Sequence, residues 1–235
     1  SEMRKFPNFN LIAYPEQSVE LKTIFSNQEN SIKRKLENPP ELRYAGWGLG
    51  TLDTAQIREG KFIRVKNGER KIIDLHKNGV LIFNALANGE FLSWGNSKNE
   101  FKLNPLAMIE SICNFVIFYN GVLKDCNNSG TTVGFYYSFN NLWTGANKYF
   151  LTPYALDSFG YRFNDYKKDA PKPSVFSEPI IFQANKFNNL GEVAYKIVEE
   201  IYLWFGISAD DGKVPYTTNI DGVTMIDIER IKNIR

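Results

Sequence analysis

Three asparagine–glycine pairs occur within residues 61–94, and they constrain the fold of this chain more than any other feature. Asn67-Gly68 lies between two strand-like runs, and such a pair readily adopts the positive φ angles of a tight hairpin. Asn78-Gly79 and Asn88-Gly89 follow at similar spacing. We therefore predict an antiparallel meander, whose later strands are Ile72–Leu75, Val80–Phe83 and Glu90–Trp94.

Two helices are predicted from apolar spacing and end signals. Asn104 can cap a helix that places Pro105 at its first position, and the apolar run from Leu106 to Leu123 widens until most of the circumference is apolar. We expect this helix to be central. The second helix runs from about Gly191 to Phe205, with Asn189 as its cap.

Further strands are predicted at Phe9–Tyr14, Thr132–Phe139, Lys148–Tyr154 and Glu178–Ala184. Residues Glu16–Glu37 show helical spacing that fits one helix or two short ones, whereas Lys167–Pro179 is typical of a long surface loop. The chain has 18 Phe and 12 Tyr, side chains that favour sheets. We predict an α+β fold, with antiparallel β-meanders packed against two or three amphipathic helices.

The polar stretch Asn127–Gly130 predicts the domain organisation. It divides the chain into a β-meander with helices, residues 1–128, and a second α+β half, residues 129–235. The two halves can also form one continuous domain. The start Ser1-Glu2-Met3 indicates an excised piece of a longer chain.

Charge and composition exclude several function classes. The chain has 28 Lys and Arg against 26 Asp and Glu, so its net charge of +2 gives no field that would hold a nucleic-acid backbone. Two cysteines and one histidine build neither a disulfide framework nor an ordinary zinc site, and we expect no cofactor. No stretch approaches the roughly 20 apolar residues of a membrane span, so we expect a cytoplasmic protein without a membrane partner.

Candidate chemical groups are few. His76 can act as an acid or base near neutral pH, and its place beside a turn fits either an exposed turn histidine or a binding residue. Carboxylate pairs occur at Glu199-Glu200, Asp210-Asp211 and Asp227/Glu229; each can be read as a solvated face or turn, or as part of a metal or acid–base site.

Two local motifs suggest binding. Residues 46–51 resemble a phosphate-cradling loop, but the Gly-Lys-Thr ending and the following helix are missing. An aromatic region further on contains Trp143, Lys148 and Tyr149. Trp143 lies in a polar loop, where an exposed tryptophan suits recognition and a buried one anchors the loop. We take Trp143, Lys148, Tyr149 and His76 as candidate binding residues and assign no catalytic residue.

One pattern runs through several segments, namely Gly46-Trp47, Phe62-Ile63-Arg64, Arg70–Phe83, Glu192–Tyr195 and Ile201–Gly206. Taken together, these segments resemble the region that follows the DNA-binding domain in bacterial Schlafen/AlbA-type DNA-binding proteins. The resemblance covers most of the chain and implies an accessory region whose partner is a DNA-binding domain in cis.

Three functions follow as hypotheses. The first is a non-enzymatic sensor or interaction domain, the regulatory C-terminal part of a larger DNA-binding protein, with an unknown small ligand or protein as partner. The alternative is a metal-dependent hydrolase that uses the acidic pairs. The third is a homo-oligomer that associates through sheet edges or aromatic surface.

Overall fold

The computed structural model describes most of the chain. The described residues are 5–21, 24–26, 28–29, 31–51, 53–68, 70–94, 101–126, 130–152, 167–184, 187, 189–208 and 214–234.

The strands of the described residues, in chain order, are β1 (Asn8–Pro15), β2 (Gln56–Arg58), β3 (Phe62–Asn67), β4 (Lys71–His76), β5 (Leu81–Leu86), β6 (Val133–Asn140), β7 (Trp143–Thr144), β8 (Asn147–Lys148), β9 (Phe150–Leu151), β10 (Lys168–Asp169), β11 (Val175–Phe176), β12 (Ile180–Phe182), β13 (Thr217–Ile220) and β14 (Val223–Ile226). The helices are α1 (Ile32–Glu37), α2 (Pro105–Asp125), α3 (Leu190–Trp204) and α4 (Ile228–Lys232).

One antiparallel sheet dominates the fold. Its strand order is β11-β6-β1-β5-β4-β3-β2, and β12 also pairs with β6, which makes eight strands. In the part of the chain that the structure describes, three two-stranded ribbons lie outside it: β7 with β8, β9 with β10, and β13 with β14. The prediction of an α+β fold with an antiparallel meander is confirmed.

The meander consists of β2 to β5, in which consecutive strands are neighbours. At the Asn67-Gly68 turn, Asn67 pairs with Lys71 and Gly68 takes a φ of 49°, as the sequence predicts. The prediction of a strand at Glu90–Trp94 is wrong. The amides of Phe91 and Ser93 donate to the carbonyl of Asn88, so this segment folds into consecutive turns.

The two long helices, α2 and α3, follow their predicted end signals. The Asn104 side chain accepts hydrogen bonds from the amides of Leu106 and Ala107, and Asn189 accepts one from the amide of Glu192. Of Glu16–Glu37, the described part contains only the short helix α1. The predicted loop Lys167–Pro179 contributes two short strands, β10 and β11.

Alternation along the strands buries one face of the sheet against helices. On β1, Phe9, Leu11 and Ala13 are buried. The α2 rings of Phe115 and Tyr119 meet Phe135 of β6 edge-on, at centroid distances of 6.3 and 6.1 Å. Because α2 also packs against α3, these two helices form the layer that covers this face.

Residues from both predicted halves share the sheet. Ile12 of β1 pairs with Ile82 of β5 on one side and with Tyr136 of β6 on the other. The packing of α2 on α3 crosses the same predicted boundary. The central strand pair and the helix layer therefore join the two halves.

Helix α2 is long and apolar enough, by length and composition, to cross a membrane. The sequence analysis does not anticipate this, since Glu110 and polar residues interrupt its apolar run. In the fold, 83% of the helix's most apolar stretch is buried inside the protein. Core helices of globular domains meet the same length and composition criteria, so the result is weak evidence of a membrane span.

Candidate functional site

A cavity of about 200 Å³ opens at the end of the sheet where the β3–β4 turn lies. Three segments distant in sequence line it: 45–47, the turn residues Asn67, Arg70 and Lys71, and residues 90, 91 and 94. We call it the Trp47–Trp94 pocket. Its described lining combines aromatic walls with three charged side chains, those of Arg70, Lys71 and Glu90.

Two tryptophans form the aromatic wall. The rings of Trp47 and Trp94 meet edge-on, with centroids 5.6 Å apart and an interplanar angle of 66°. The indole N–H of Trp47 donates to the carbonyl of Phe91 at 3.0 Å, which fixes that ring. Trp94 is 57% exposed. The pocket thus presents one fixed ring and one accessible ring, on which a flat ligand can stack.

Lys71 supplies a cation to the pocket. Its ammonium donates to the carbonyls of Gly48, at 2.9 Å, and Gly50, and it lies 5.4 Å from the centre of the Phe91 ring. Burial lowers the pKa of Lys71 to about 8, although the nearby Glu41 acts in the opposite direction. Lys71 therefore joins the glycine-rich loop to the sheet through two hydrogen bonds. It also places beside the aromatic wall an ammonium group that loses its proton more readily than an ordinary lysine.

Arg70 supplies a second cation and Glu90 a carboxylate. The Arg70 Nε and Nη2 atoms donate to the Glu90 carbonyl at 3.2 and 2.8 Å, and Nε lies 3.6 Å from the Glu90 carboxylate. Both side chains are about half exposed or more. This contact holds Arg70 in place through a backbone acceptor and leaves part of the guanidinium toward solvent.

The glycines of residues 46–50 allow close approach to carboxylates. A Cβ on Gly46 would lie 1.9 Å from Glu110 Oε1, and Cβ atoms on Gly48 and Gly50 would lie 2.1 and 2.5 Å from Glu41 Oε1. Glu41 also accepts a hydrogen bond from the Gly50 amide at 3.1 Å. The glycine spacing therefore serves packing of the loop on two carboxylates.

Glu110 is a residue that the sequence analysis missed. It is fully buried on α2, and its Oε2 accepts two hydrogen bonds from Arg43, at 2.7 and 3.1 Å. Arg43 in turn lies 5.6 Å from the centre of the Trp47 ring. A lone carboxylate inside a long apolar helix was the available signal, because a buried charge needs a partner. The Arg43–Glu110 pair therefore holds the Arg43 guanidinium beside Trp47, whose ring lines the pocket.

Of the predicted binding residues, Trp143 and Lys148 come together. They face each other in the β7–β8 ribbon, with the Lys148 ammonium 4.6 Å from the centre of the Trp143 ring. Trp143 is 40% exposed, and its indole N–H donates to the Ala170 carbonyl at 2.9 Å. Tyr149 follows in sequence but is buried against Phe101. The arrangement anchors the loop and leaves one cation–π pair at the surface.

His76 lies apart from these residues. It pairs with Phe62 at the opposite end of β3 and β4 from the Asn67–Lys71 pair, and the two rings stack with centroids 4.8 Å apart. Burial lowers the pKa of His76; Asp74 opposes this shift and Arg64 adds to it. The structure therefore does not bring His76 into one site with Trp143 and Lys148.

The acidic pairs stabilise local structure where they are described. Glu199 accepts hydrogen bonds from Tyr195 Oη at 2.9 Å and Lys196 at 2.8 Å, while Asp227 caps α4. Glu229 pairs with Lys232 at 2.6 Å. Asp210-Asp211 lies outside the described residues. Within the described ranges, no three His, Cys, Asp or Glu side chains are grouped to hold a metal ion.

A second cavity, of about 590 Å³, follows the β11–β12 edge of the sheet and the C-terminal end of α3. Its lining includes the exposed apolar side chains Phe176, Ile181 and Leu203. The homo-oligomer expected from the sequence stays a prediction, and this edge is the surface that best fits it. Its walls carry two carboxylates, Glu178 and Glu200, and lack the cations of the Trp47–Trp94 pocket.

Comparison with known proteins gives no family model, no curated protein and no solved structure that matches this chain. The resemblance to the accessory region of Schlafen/AlbA-type proteins stays an expectation from the sequence.

Proposed function

We propose that this chain is a non-enzymatic sensor or interaction domain that binds a small ligand in the Trp47–Trp94 pocket. One observation carries the proposal: three separate segments converge on a concave site and bring an exposed tryptophan beside two cations. Tryptophan and arginine in a partly enclosed site are the groups that contribute most to recognition.

The contacts of the lining residues favour binding over catalysis. A catalytic nucleophile needs an adjacent base, which in turn needs an orienting group. Lys71 donates to two backbone carbonyls, and Arg70 donates to a third. The lining carboxylate, Glu90, is exposed and lies next to Arg70. These groups hold the loops and offer donors, the arrangement that ligand recognition requires.

The wider role, regulation of a DNA-binding domain of the same polypeptide, belongs to this proposal as well. Its support is the resemblance carried by Gly46-Trp47 and Arg70–Phe83. Both segments contribute residues to the pocket, namely Gly46, Trp47, Arg70 and Lys71. A ligand bound there would contact the part of the chain on which the resemblance rests.

The test uses the four tryptophans of the chain as separate reporters. The whole chain is labelled with fluorotryptophan, and each ¹⁹F signal is assigned by a single Trp→Phe variant. A panel of small aromatic acids, amides and amines is then titrated. We expect at least one compound to shift the Trp47 and Trp94 signals and to leave those of Trp143 and Trp204 unchanged.

The matched control compares two exposed tryptophans. Trp94→Ala removes a pocket wall, whereas Trp143→Ala removes the ring that lies under Lys148 in the β7–β8 ribbon. Binding should be lost in the first variant and kept in the second. A panel in which no compound moves the Trp47 and Trp94 signals, or turnover of a compound by the chain, contradicts the proposal.

A further inference from the structure

We propose that the Trp47–Trp94 pocket selects a small aromatic carboxylate, whose ring stacks on Trp94 and whose carboxylate contacts Lys71 and Arg70. The inference rests on the proposed function and adds the chemical class of the ligand. The charge, the hydrogen-bond donors and the size of the pocket support this class of ligand.

The charge of the lining decides between an anion and a cation. Aromatic walls with a nearby carboxylate can also hold an organic cation. Among the described lining residues, two positive side chains, Arg70 and Lys71, face one carboxylate, that of Glu90, while Glu41 acts on Lys71 from outside the lining, beside Gly48 and Gly50. A cationic ligand would meet net repulsion at short range, whereas an anion meets net attraction.

Lys71 has a donor to spare. An ammonium group carries three N–H donors. Those of Lys71 serve the carbonyls of Gly48 and Gly50, and among the described residues no hydrogen bond uses the third. The Glu41 carboxylate acts on Lys71 from beside Gly48 and Gly50, but no described carboxylate forms an ion pair with the Lys71 ammonium. A ligand carboxylate would therefore complete the hydrogen bonding of a largely buried cation, a contact that is stronger than the same contact in water.

Arg70 adds a second, directional contact. The Nε–H and one N–H of Nη2 donate to the Glu90 carbonyl, which fixes the orientation of the guanidinium. The N–H groups of Nη1 and the second N–H of Nη2 remain as donors. A planar carboxylate matches the spacing of these donors. Arg70 is the last residue before β4 and Lys71 is the first residue of that strand, and both line the same pocket.

The size of the pocket limits the ligand. A volume of about 200 Å³ corresponds to roughly six or seven water molecules in the liquid, at about 30 Å³ each. One six-membered ring with an acidic group is of this size. A single-ring acid therefore matches the volume that the described walls enclose.

Proton binding provides an independent signature. Burial, and to a lesser degree Arg70, lowers the pKa of Lys71 to about 8, while Glu41 raises it; Glu90 lies across the pocket, and the carbonyls of Gly48 and Gly50 favour the charged form. The protonated fraction of such an amine falls from about nine tenths at pH 7 to about one tenth at pH 9. Affinity for an anion should fall about ten-fold over the same interval.

The experiment compares four ligands of nearly equal shape on the whole chain: phenylacetate, phenylacetamide, phenethylammonium and cyclohexylacetate. Their affinities are measured by calorimetry, and their site by the ¹⁹F signals of Trp47 and Trp94. We expect phenylacetate to bind at least about ten-fold more tightly than each of the others. The affinities of the two carboxylates, phenylacetate and cyclohexylacetate, should fall between pH 7 and pH 9, whereas the affinity of the uncharged amide should not.

Three variants test the residues. Arg70→Gln should weaken phenylacetate binding about ten-fold, and Glu90→Gln should strengthen it by a few-fold, because one loses attraction and the other loses repulsion. Lys148→Gln, which removes the cation above Trp143, serves as the matched control and should change nothing. Opposite effects of the Arg70 and Glu90 variants cannot come from a common loss of folding.

The outcomes separate this inference from the proposed function. If the amide or the ammonium compound binds in the pocket as tightly as phenylacetate, the ligand class is wrong and the binding function stands. If affinity does not depend on pH between 7 and 9, the role of Lys71 is wrong. If no compound moves the Trp47 and Trp94 signals, the proposed function itself fails.

Discussion

Glu110 restricts which residue can occupy position 46 in a loop distant in sequence. It is fully buried on α2, where a carboxylate is stable only with hydrogen-bond donors or an opposite charge. Arg43 supplies both, and the carboxylate oxygen that Arg43 does not contact lies against the backbone of Gly46. The loop can approach this closely because residue 46 has no side chain.

We predict that Gly46→Ala destabilises the protein by about 1–3 kcal/mol, the usual cost of forcing extra volume into a packed interior. The new Cβ would lie 1.9 Å from Glu110 Oε1, so the carboxylate must move and lose its hydrogen bonds with Arg43. Urea unfolding of the two chains measures the difference. The cost of Gly46→Ala should become smaller when Glu110 is also replaced by Ala.

Gly121 is the matched control. It lies inside α2, and a Cβ there would meet no atom within 4 Å. Gly121→Ala should stabilise the protein by about 0.5–1 kcal/mol, since glycine in a helix interior costs conformational entropy. Two Gly→Ala changes of opposite sign would support the steric explanation. Equal effects at both positions would contradict it.

At the scale of elements, the β3–β4 hairpin places His76 beside Phe62 on the outer face of the sheet. Two positions along the same strands, the Arg64 guanidinium forms two short hydrogen bonds with the Asp74 carboxylate, at 2.7 and 2.6 Å. The imidazole therefore lies between an aromatic ring and an ion pair whose charges largely compensate. Burial is the main influence on its pKa, and burial favours the neutral ring.

We predict that His76 makes the stability of the protein depend on pH below about 6.5. Because the folded pKa of His76 is lowered, the unfolded chain binds the proton more readily. The free energy of unfolding should be at its full value above the unfolded pKa and fall as pH falls toward the folded pKa. Urea unfolding between about pH 5.5 and 7.5 measures this slope.

His76→Gln provides the comparison. Because the chain contains one histidine, the variant removes all of the histidine contribution to the pH dependence. The variant should lose the part of the slope that the imidazole contributes and keep the part due to carboxylates. Identical slopes in the two chains would show that His76 titrates alike in the folded and unfolded states. A slope of opposite sign would contradict the burial of the neutral ring.

The elements that the sequence predicts correctly carry their own local signals. Asn104 and Asn189 cap the two long helices, and Asn67-Gly68 forms the hairpin turn. In each case the hydrogen bonds or backbone angles involve residues close in sequence, so a short stretch of sequence is enough to predict the element. Glu90–Trp94 lacks such a signal. Its apolar side chains fit a strand or a buried turn equally well, and the choice depends on hydrogen bonds to Asn88.

At the scale of the whole molecule, the pocket is the least predictable part. Trp143 and Lys148 are named from the sequence only as candidate binding residues, and their ring–cation contact forms between residues that are five positions apart. The sequence analysis also singles out the glycine loop, but without its buried partners. The pocket needs residues from three segments to meet after the meander has folded and the loop has docked on α2. No local spacing encodes that meeting.

The shared sheet leads to a prediction for the whole chain: both predicted halves unfold together. β1 lies between β5 and β6, and α2 packs on α3, so neither half can lose its structure without exposing core residues of the other. Trp47 and Trp94 report on the first half; Trp143 and Trp204 report on the second. We expect one urea midpoint for both pairs.

Two variants isolate the reporters. Trp143→Phe with Trp204→Phe leaves fluorescence only in the first half, and Trp47→Phe with Trp94→Phe leaves it only in the second. Because these changes can shift stability, each fluorescence midpoint is compared with the far-ultraviolet circular dichroism midpoint of the same variant, which follows the whole backbone. Agreement within each variant means that β1 and the helix layer couple the halves in one transition. If the fluorescence of one half instead changes at a lower urea concentration than the circular dichroism of the same variant, that half unfolds separately. A strand pair in the centre of the sheet then breaks before the rest.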